Sequence, residues 1–532
     1  MQNVFSQNKT ITGQVKDSSG NILPGVSVII KGTTKGANTD FDGNYTLSNV
    51  SPNNELVFSY LGMNSLTILV GNRTKINAVL QENLESLDEI VVVGYGSKKK
   101  SLVTGAISSV SSKDIKSVSN QRVEQIMQGR TSGVTVTSSS GSPGSGAKIR
   151  IRGTGSSGNA EPLFIVDGMK VSTIDNIAPA DIENMEILKD AASAAIYGTE
   201  GANGVVIITT KQGKQGDIKV SFNTQLGLQF VNTPMELMDA SEFVTYMNEA
   251  GRTSRGAAII DNGVDTNWID EVFDTAFMQR YDFNISGAVK NTSYYFSAGH
   301  TNQNGTVGNN SSFDRTSFRF NVKSKITDWL EVGVNSNTAL IRRKGIQENS
   351  DTRGVIQNAL VLDPLTALIY GNENEVPQRI IDNSLDSEGS TIPFLRDENG
   401  NVYGYPTYSD GEVVNPVAYA NSGINNSLFK NDQSLTTAYL KFNIIEGLTF
   451  TSRYGYELNQ YYTKNTQNPY FVSSIAANSG YTFNDSRLKS KKWLWENFAS
   501  YEKIVNNHNF KLLAGYSAEN TRVKTPTSRS GS

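Results

Sequence analysis

Few side chains in this sequence are of the kinds that make and break bonds. There is no cysteine, and the two histidines, His300 and His508, sit on separate segments. Disulfides and thiolate metal sites are therefore excluded, and each imidazole reads as an ordinary strand or turn residue without a second ligand beside it. Asp40-Phe41-Asp42-Gly43-Asn44 invites a calcium reading. It has too few spaced oxygens and no closing glutamate, so a hairpin turn is expected instead. Gly153-Thr154-Gly155-Ser156-Ser157-Gly158 matches the letters of a dinucleotide fingerprint. The chain continues as Asn159-Ala160-Glu161-Pro162 and then a strand pattern, so no helix N-terminus is there to cradle a pyrophosphate. No nucleophile–base pair, metal cluster or paired acids stand out, and neither a catalytic residue nor a cofactor is expected. Tyr403, Tyr405 and Tyr408 lie on a long loop and offer rings for stacking on a sugar; loop packing or anchoring at a membrane edge is the plainer reading.

The elements that must position these residues are β-rich. Of 532 residues 37% are hydrophobic and only 19% charged, with 47 glycines and 13 prolines, as in all-β proteins with many hairpins. The length suits two to four domains of about 150 residues each. A formal net charge of -3 leaves no basic field for a nucleic acid. No run approaches the ~20 apolar residues of a membrane-crossing helix, which leaves membrane-crossing strands open. Met1 to Gln7 lack the charged and apolar regions of a signal peptide, so export has to be argued from the rest of the chain.

Thr10 to Leu80 reads as a small β-sandwich: short alternating runs such as Ile11–Val15, Val26–Ile30 and Leu56–Tyr60 are divided by Gly, Asn, Asp and Pro turns. Then comes Leu87-Asp88-Glu89-Ile90-Val91-Val92-Val93-Gly94-Tyr95-Gly96, with acidic, glycine-rich and basic flanks. This reads equally as a last strand or linker, or as an extended segment presented to another protein's sheet edge. From Leu102 to Lys214 the pattern is mixed α/β. A short amphipathic helix spans Gln121 to Arg130 with Val123, Ile126 and Met127 on one face, and Asp190 caps a short Ala-rich helix ending at Gly198.

From Ile218 onward apolar and polar residues alternate. Val220, Phe222, Thr224, Leu226, Leu228 and Phe230 interleave with Ser221, Asn223, Gln225, Gly227 and Gln229, and Phe318, Phe320 and Val322 with Ser317, Arg319, Asn321 and Lys323. About nine such segments of roughly ten residues, separated alternately by very short and long connections, are the signature of an outer-membrane barrel. A soluble sandwich or propeller fits less well, because loops this long are abnormal in a compact domain.

Several segments resemble the SusC/RagA-type TonB-dependent outer-membrane transporters. Leu87 to Gly96 looks like their Ton box. Ile149-Arg150-Ile151-Arg152-Gly153, Phe164-Ile165-Val166-Asp167-Gly168, Ile187 to Gly198 and Gly201 to Lys211 look like their plug, and Asn415-Pro416-Val417-Ala418 is a weaker barrel signal. Gly13 to Tyr45 resembles the carboxypeptidase-regulatory-like, transthyretin-like front domain, which implies a binding or spacer module and no peptidase activity. The resemblance implies a mainly β fold: the sandwich, an α/β plug domain, and an antiparallel transmembrane β-barrel of 22 strands when complete. It also implies a mechanism, import of an oligosaccharide or peptide trapped under a SusD-like lipoprotein lid. TonB, driven by ExbB/ExbD, would pull on Asp88, Glu89, Ile90, Val91, Val92, Val93, Gly94, Tyr95 and Gly96. Arg150 and Arg152 would face barrel acids and seat the plug; read alone, they are as well explained as solvated strand residues.

The expected organisation is a residual leader or start segment at 1–9, sandwich at 10–82, Ton box and linker at 83–100, plug at 101–216 and the N-terminal part of the barrel at 217–532. Nine strands are too few to enclose a plug, so the native chain is expected to continue well beyond Ser532. The expected location is the bacterial outer membrane, in contact with its lipid, with front domain and Ton box in the periplasm. A surface-exposed binding or adhesion protein is the alternative, and it would need no energy-coupling segment.

Overall fold

The computed structural model describes residues 9–531 apart from 19, 34, 61–62, 82–89, 94–95, 100–106, 117–121, 139, 234, 253–256, 309, 347, 349–353, 409–412, 422–423, 425, 474–475 and 506–507. The chain divides into two units, Met1–Thr104 and Gly105–Ser532.

In the first unit two sheets face each other. Lys9–Asp17 lies between Asn44–Val50 and Ala78–Leu80, and the other sheet runs Gly36–Asn38, Ser27–Ile30, Glu55–Ser59, Leu66–Leu69. Period-2 alternation turns Ile11, Val15, Val28, Tyr45, Leu56 and Phe58 into one buried cluster, with the Tyr45 and Phe58 rings edge-on at 5.5 Å. The Tyr45 hydroxyl donates to the Ile76 carbonyl at 2.8 Å, which lets a phenol sit in that core. Asp40 explains its own turn: Oδ1 accepts from the backbone N–H groups of Asp42 at 3.0 Å and Asn44 at 2.8 Å. That oxygen is engaged by the chain itself in a tight turn, which differs from the expected hairpin in joining Gly36–Asn38 of one sheet to Asn44–Val50 of the other. Ile90–Val93 pairs antiparallel with Gly96–Lys99.

The second unit begins with an α/β domain. Its five-stranded sheet runs Ile107–Ser111, Ile182–Leu188, Val205–Thr210, Leu163–Val166, Met169–Val171, beside a separate pair of Val134–Ser138 and Ala147–Ile151. The helix expected from Gln121 to Arg130 is confined to Val123–Ile126, and Val123, Ile126 and Met127 are buried. Asp190 caps the Ala191–Ala194 helix through the Ser193 N–H at 2.9 Å, and the helical path breaks at Gly198. After Gly153 the chain stays without a helix until the strand at Leu163, so the glycines form a turn.

Nine antiparallel strands complete the unit, each paired with its neighbour in sequence: Gly216–Gln229, Ala276–Val289, Thr292–Asn304, Ser312–Lys325, Leu330–Gly345, Asn426–Ile445, Leu448–Gln467, Thr482–Val505 and His508–Gly531. Their polarity is inverted relative to a soluble sheet. Along Ser312–Lys325 the buried residues are Phe313, Arg315, Ser317, Arg319 and Asn321, while Phe318 and Phe320 point outward, 45% and 49% exposed. A strand that buries arginine and exposes phenylalanine suits a wall with a polar interior and an apolar surround. No helix among the described residues is long and apolar enough to cross a membrane.

At one end of the sheet the connections are short; at the other they are long and build their own core. Trp268 from the 230–275 connection, Val355, Ala359, Tyr403 and Val417 from 346–425, and Tyr470 from 468–481 meet in one buried cluster. Asn415 holds it together: its Oδ1 accepts from the N–H groups of Val417 and Ala418, both at 3.1 Å, and its amide nitrogen donates to the carbonyls of Leu368 and Gly404.

Candidate functional site

The polar face of the nine-stranded sheet closes on the α/β domain. The meeting point is built around Asp167 and Asp181. Asp167 and Gly168 both have positive φ, 47° and 82°, and form the two-residue turn between Leu163–Val166 and Met169–Val171. A primed turn of this kind matches the strand twist, and Asp-Gly is one of the few pairs that adopts it readily. Glycine at 168 also leaves room for the guanidinium of Arg453, which reaches over the turn from the sheet and would have to shift if a Cβ were present. The Asp167 carboxylate accepts from the Thr210 N–H at 3.0 Å and hydroxyl at 2.8 Å, which fixes its outward oxygen.

Onto that carboxylate the strand Ser312–Lys325 lowers Arg319. Its Nη1 donates to Asp167 Oδ2 at 3.2 Å and Thr210 Oγ1 at 2.9 Å, and its Nε lies 3.7 Å from Asp181 Oδ2. Asp181 also accepts from Tyr295 at 2.9 Å and Ser297 at 2.6 Å on the neighbouring strand. Asn321 donates to the Lys211 carbonyl at 2.7 Å, Asn337 to that of Asn176 at 2.9 Å, and Arg315 to those of Asp175 and Ile177 at 3.3 Å each. Leu435 and Leu494 of the sheet join the α/β domain's own apolar cluster, and Met169 packs where Gly455 leaves room. The contact is thus a buried ionic centre ringed by hydrogen bonds to backbone carbonyls. Such a centre resists loss of either charge far more than it stabilises the pair. A second buried ion cluster lies within the α/β domain, where Arg122 pairs with Glu124 at 2.8 Å and with Asp175. Burial pushes the Glu124 carboxyl above its ordinary range, against the pull of Arg122.

Residues expected to act are found elsewhere in this scheme. Arg150 lies 3.8 Å from Glu161 of its own domain and donates to the Ile149 carbonyl, and Arg152 is exposed on a left-handed turn with φ 56°. Neither makes an ion pair with the sheet among the described residues, where seating is carried by Arg319 and Asp181 instead. Tyr403 and Tyr405 are buried in the loop core, with the Tyr405 hydroxyl on the Phe471 carbonyl at 2.9 Å. Tyr408 packs against a separate cluster of Ala240, Ile259 and Leu365 and donates to the Ile260 carbonyl at 2.8 Å. Tyr403 and Tyr405 therefore follow the plainer expectation of loop packing, with their rings in the loops' own interior rather than offered to a sugar, while Tyr408 is half-buried. Of the Leu87–Gly96 segment, Ile90, Val91, Val92 and Val93 are on the first strand of the hairpin and Gly96 opens the second, while Asp88, Glu89, Gly94 and Tyr95 lie outside the described residues. His300 contacts Thr316 Oγ1 at 3.0 Å on the next strand.

The comparisons agree with this geometry. Residues 99–205 match the TonB-dependent Receptor Plug Domain, and residues 11–92 the CarboxypepD_reg-like domain. A plug seated on the polar face of a membrane-type sheet, in a chain that also carries such a front domain, defines a TonB-dependent receptor. TonB-dependent receptor P3 of Formosa agariphila is 35% identical over 527 residues, 97% of this chain and 48% of that protein. TonB-dependent receptor SusC of Bacteroides thetaiotaomicron is 31% identical over 532 residues, 96% of this chain and 50% of that protein. The RagAB peptide importer in its 'open-open' state shares the fold with a TM-score of 0.64 at 24% identity, over 83% of this chain and 53% of that one. The chain belongs to the SusC/RagA-type TonB-dependent receptors. It spans about half the length of the curated relatives it matches.

Proposed function

We propose that a receptor carrying this chain imports a bulky nutrient, an oligosaccharide or a peptide, across the bacterial outer membrane. The observation that carries the reading is the inverted sheet: its polar face grips a plug through Asp167, Asp181 and Arg319, and its apolar face is turned outward. A gripped plug closes a wide lumen, and opening it takes work that an outer membrane has no nucleotide to supply. Asp88 to Gly96 is the segment on which TonB, energised by ExbB/ExbD, would pull, adding it as a strand to its own sheet edge. The front domain and this segment would stand in the periplasm.

The plug has a natural point to yield. Ile107–Ser111 is the edge strand nearest in sequence to the pulled segment, and among the described residues it pairs only with Ile182–Leu188. Lys189 pins it, with Nζ donating to Ser108 Oγ at 2.6 Å and to the Ser132 carbonyl at 2.9 Å. Arg150 and Arg152 would have their seating role against wall residues other than the nine strands described. The relatives support a SusD-like lipoprotein as the lid that traps substrate above the plug, since SusC is among them and RagAB is a peptide importer.

Deleting Asp88 to Gly96 tests the reading. Uptake should fall to the level of a tonB-null strain while surface assembly and substrate binding stay near wild type. Uptake that survives the deletion would favour the adhesive alternative, which has no use for an energy-coupling segment.

A further inference from the structure

The outward face of the sheet carries a cluster of cations that plug seating does not use. Strand register fixes which residues share it. Lys430 pairs with Tyr462, and Tyr462 with Arg487. Both cations lie over the Tyr462 ring, at 5.7 and 5.2 Å from its centre. Two residues along, Lys489 pairs with Lys524; two further, Lys491 pairs with Arg522. The next two rows on the same face are aromatic, Trp493 opposite Tyr456 and Trp495 opposite Tyr454, with the Tyr454 and Trp493 rings stacked at 6.5 Å. Trp495 and Tyr454 are 45% and 47% exposed, while Leu494, Glu496 and Phe498 between them are buried, so the odd-numbered residues of this strand face outward.

The rows are ordered as a membrane interface orders them. Their cationic end adjoins the long 468–481 connection, and the short connections 446–447 and 506–507 lie at the other end. Tryptophan and tyrosine settle at headgroup level. A strand rising about 3.4 Å per residue at a tilt of about 45° places each successive row about 5 Å further out. Lys491 with Arg522, then Lys489 with Lys524, therefore stand about 5 and 10 Å beyond Trp493, where headgroup phosphates lie. The acids nearby are committed: Asp485 lies 3.7 Å from Arg487 and accepts from Tyr462, and Asp432 pairs with Arg342 at 2.6 Å. Among the described residues Lys489, Lys491, Arg522 and Lys524 have no carboxylate partner. Four like charges held side by side on a flat sheet repel one another unless an anion bridges them.

We propose that this patch binds the phosphate groups of an anionic lipid in the outer leaflet. The proposal rests on the outer-membrane reading of the proposed function. Flexible lysine stems spread across the lipid surface and direct their charges to the phosphates, while the Lys430–Tyr462–Arg487 stack caps the site on its outer side.

The test is native mass spectrometry of the full receptor, extracted from outer membranes. It is exposed to micelles carrying a bisphosphorylated glycolipid, to micelles carrying phosphatidylethanolamine, or to inorganic phosphate alone. The receptor should retain the bisphosphorylated lipid at a concentration at least tenfold lower than the Lys489→Gln/Lys491→Gln/Arg522→Gln variant does. Lys489→Arg/Lys491→Arg should restore the wild-type value and guard against misfolding of the glutamine variant. Retention should also fall with rising salt, and phosphatidylethanolamine should not distinguish the variants. Equal retention of the phosphorylated lipid by wild type and glutamine variant, or displacement of it by inorganic phosphate at matched concentration, would overturn the patch alone. A receptor absent from the outer-membrane fraction would overturn the import reading and the patch together.

Discussion

Removing the Asp181 carboxylate should unseat the plug without unfolding the wall. Asp181 gathers three groups from two strands: the Tyr295 hydroxyl at 2.9 Å, the Ser297 hydroxyl at 2.6 Å and the Arg319 Nε at 3.7 Å. Asp181→Ala leaves two hydroxyls and part of a guanidinium buried with nothing opposite. Deleting one partner of a buried ion pair costs about 3–5 kcal/mol. Arg319 keeps Asp167 at 3.2 Å, so the lower end applies. At about 1.4 kcal/mol per factor of ten, ~3 kcal/mol raises the open fraction of the lumen roughly a hundredfold. Conductance of the receptor in planar bilayers across a urea series reads that fraction. Asp181→Asn retains an acceptor for the hydroxyls and drops the charge, and should fall between wild type and Asp181→Ala. The double variant Asp181→Ala/Arg319→Met removes the stranded charge too, so its cost should be at least about 1 kcal/mol below the sum of the single costs. Wild-type conductance from Asp181→Ala, or strictly additive costs, would refute the reasoning.

Three further outcomes are expected from other parts of the molecule. Burial pushes the Tyr45 phenol from its usual value of 10.0 to about 12, so the folded front domain favours the neutral form. That contribution is fully present below pH 10 and is lost as the pH rises towards 12, so urea stability should decline across this window and decline less steeply in Tyr45→Phe. The same domain, expressed alone, should melt at one temperature with or without calcium or chelator, because Asp40 Oδ1 is already taken by the N–H groups of Asp42 and Asn44. A Cβ at Gly455 would collide with Met169 Sδ, so Gly455→Leu should loosen the plug by about 1–3 kcal/mol, read as faster proteolysis of the plug within a heat-resistant barrel.

The strands were legible because lipid demands an apolar face, and the demand stops where the lipid does. The alternation at Leu448 to Leu458 marks only half of a strand that runs Leu448–Gln467, and that at Trp493 to Tyr501 lies inside Thr482–Val505. Beyond the bilayer both faces are wet, and nothing in the composition of Asn459 to Gln467 announces a strand. The seat was hidden for a different reason. Arg319 and Asn321 are as polar as residues lining water would be, and their partners Asp167, Asp181 and Lys211 are more than a hundred positions away. Asp167 was visible only within the Phe164 to Gly168 run that resembles a plug, and that run says nothing of what lands on it. An aromatic on a long loop can face a ligand or the loop itself, and Tyr403 and Tyr405 took the second course because this loop is long enough to have an inside.

The inverted sheet also bears on how the receptor is assembled. In a strand a slip of one residue exchanges the two faces. In Ser312–Lys325 it would turn Arg319 and Asn321 to the hydrocarbon and drive Phe318 and Phe320 against Asp167 and Asp181. Each misregistered wall is thus rejected twice, by the bilayer on one side and by the plug on the other. In the proposed receptor the plug would thus be a proofreading template as well as a stopper, favouring the single strand alignment in which Arg319 and Asn321 meet Asp167, Asp181 and Lys211.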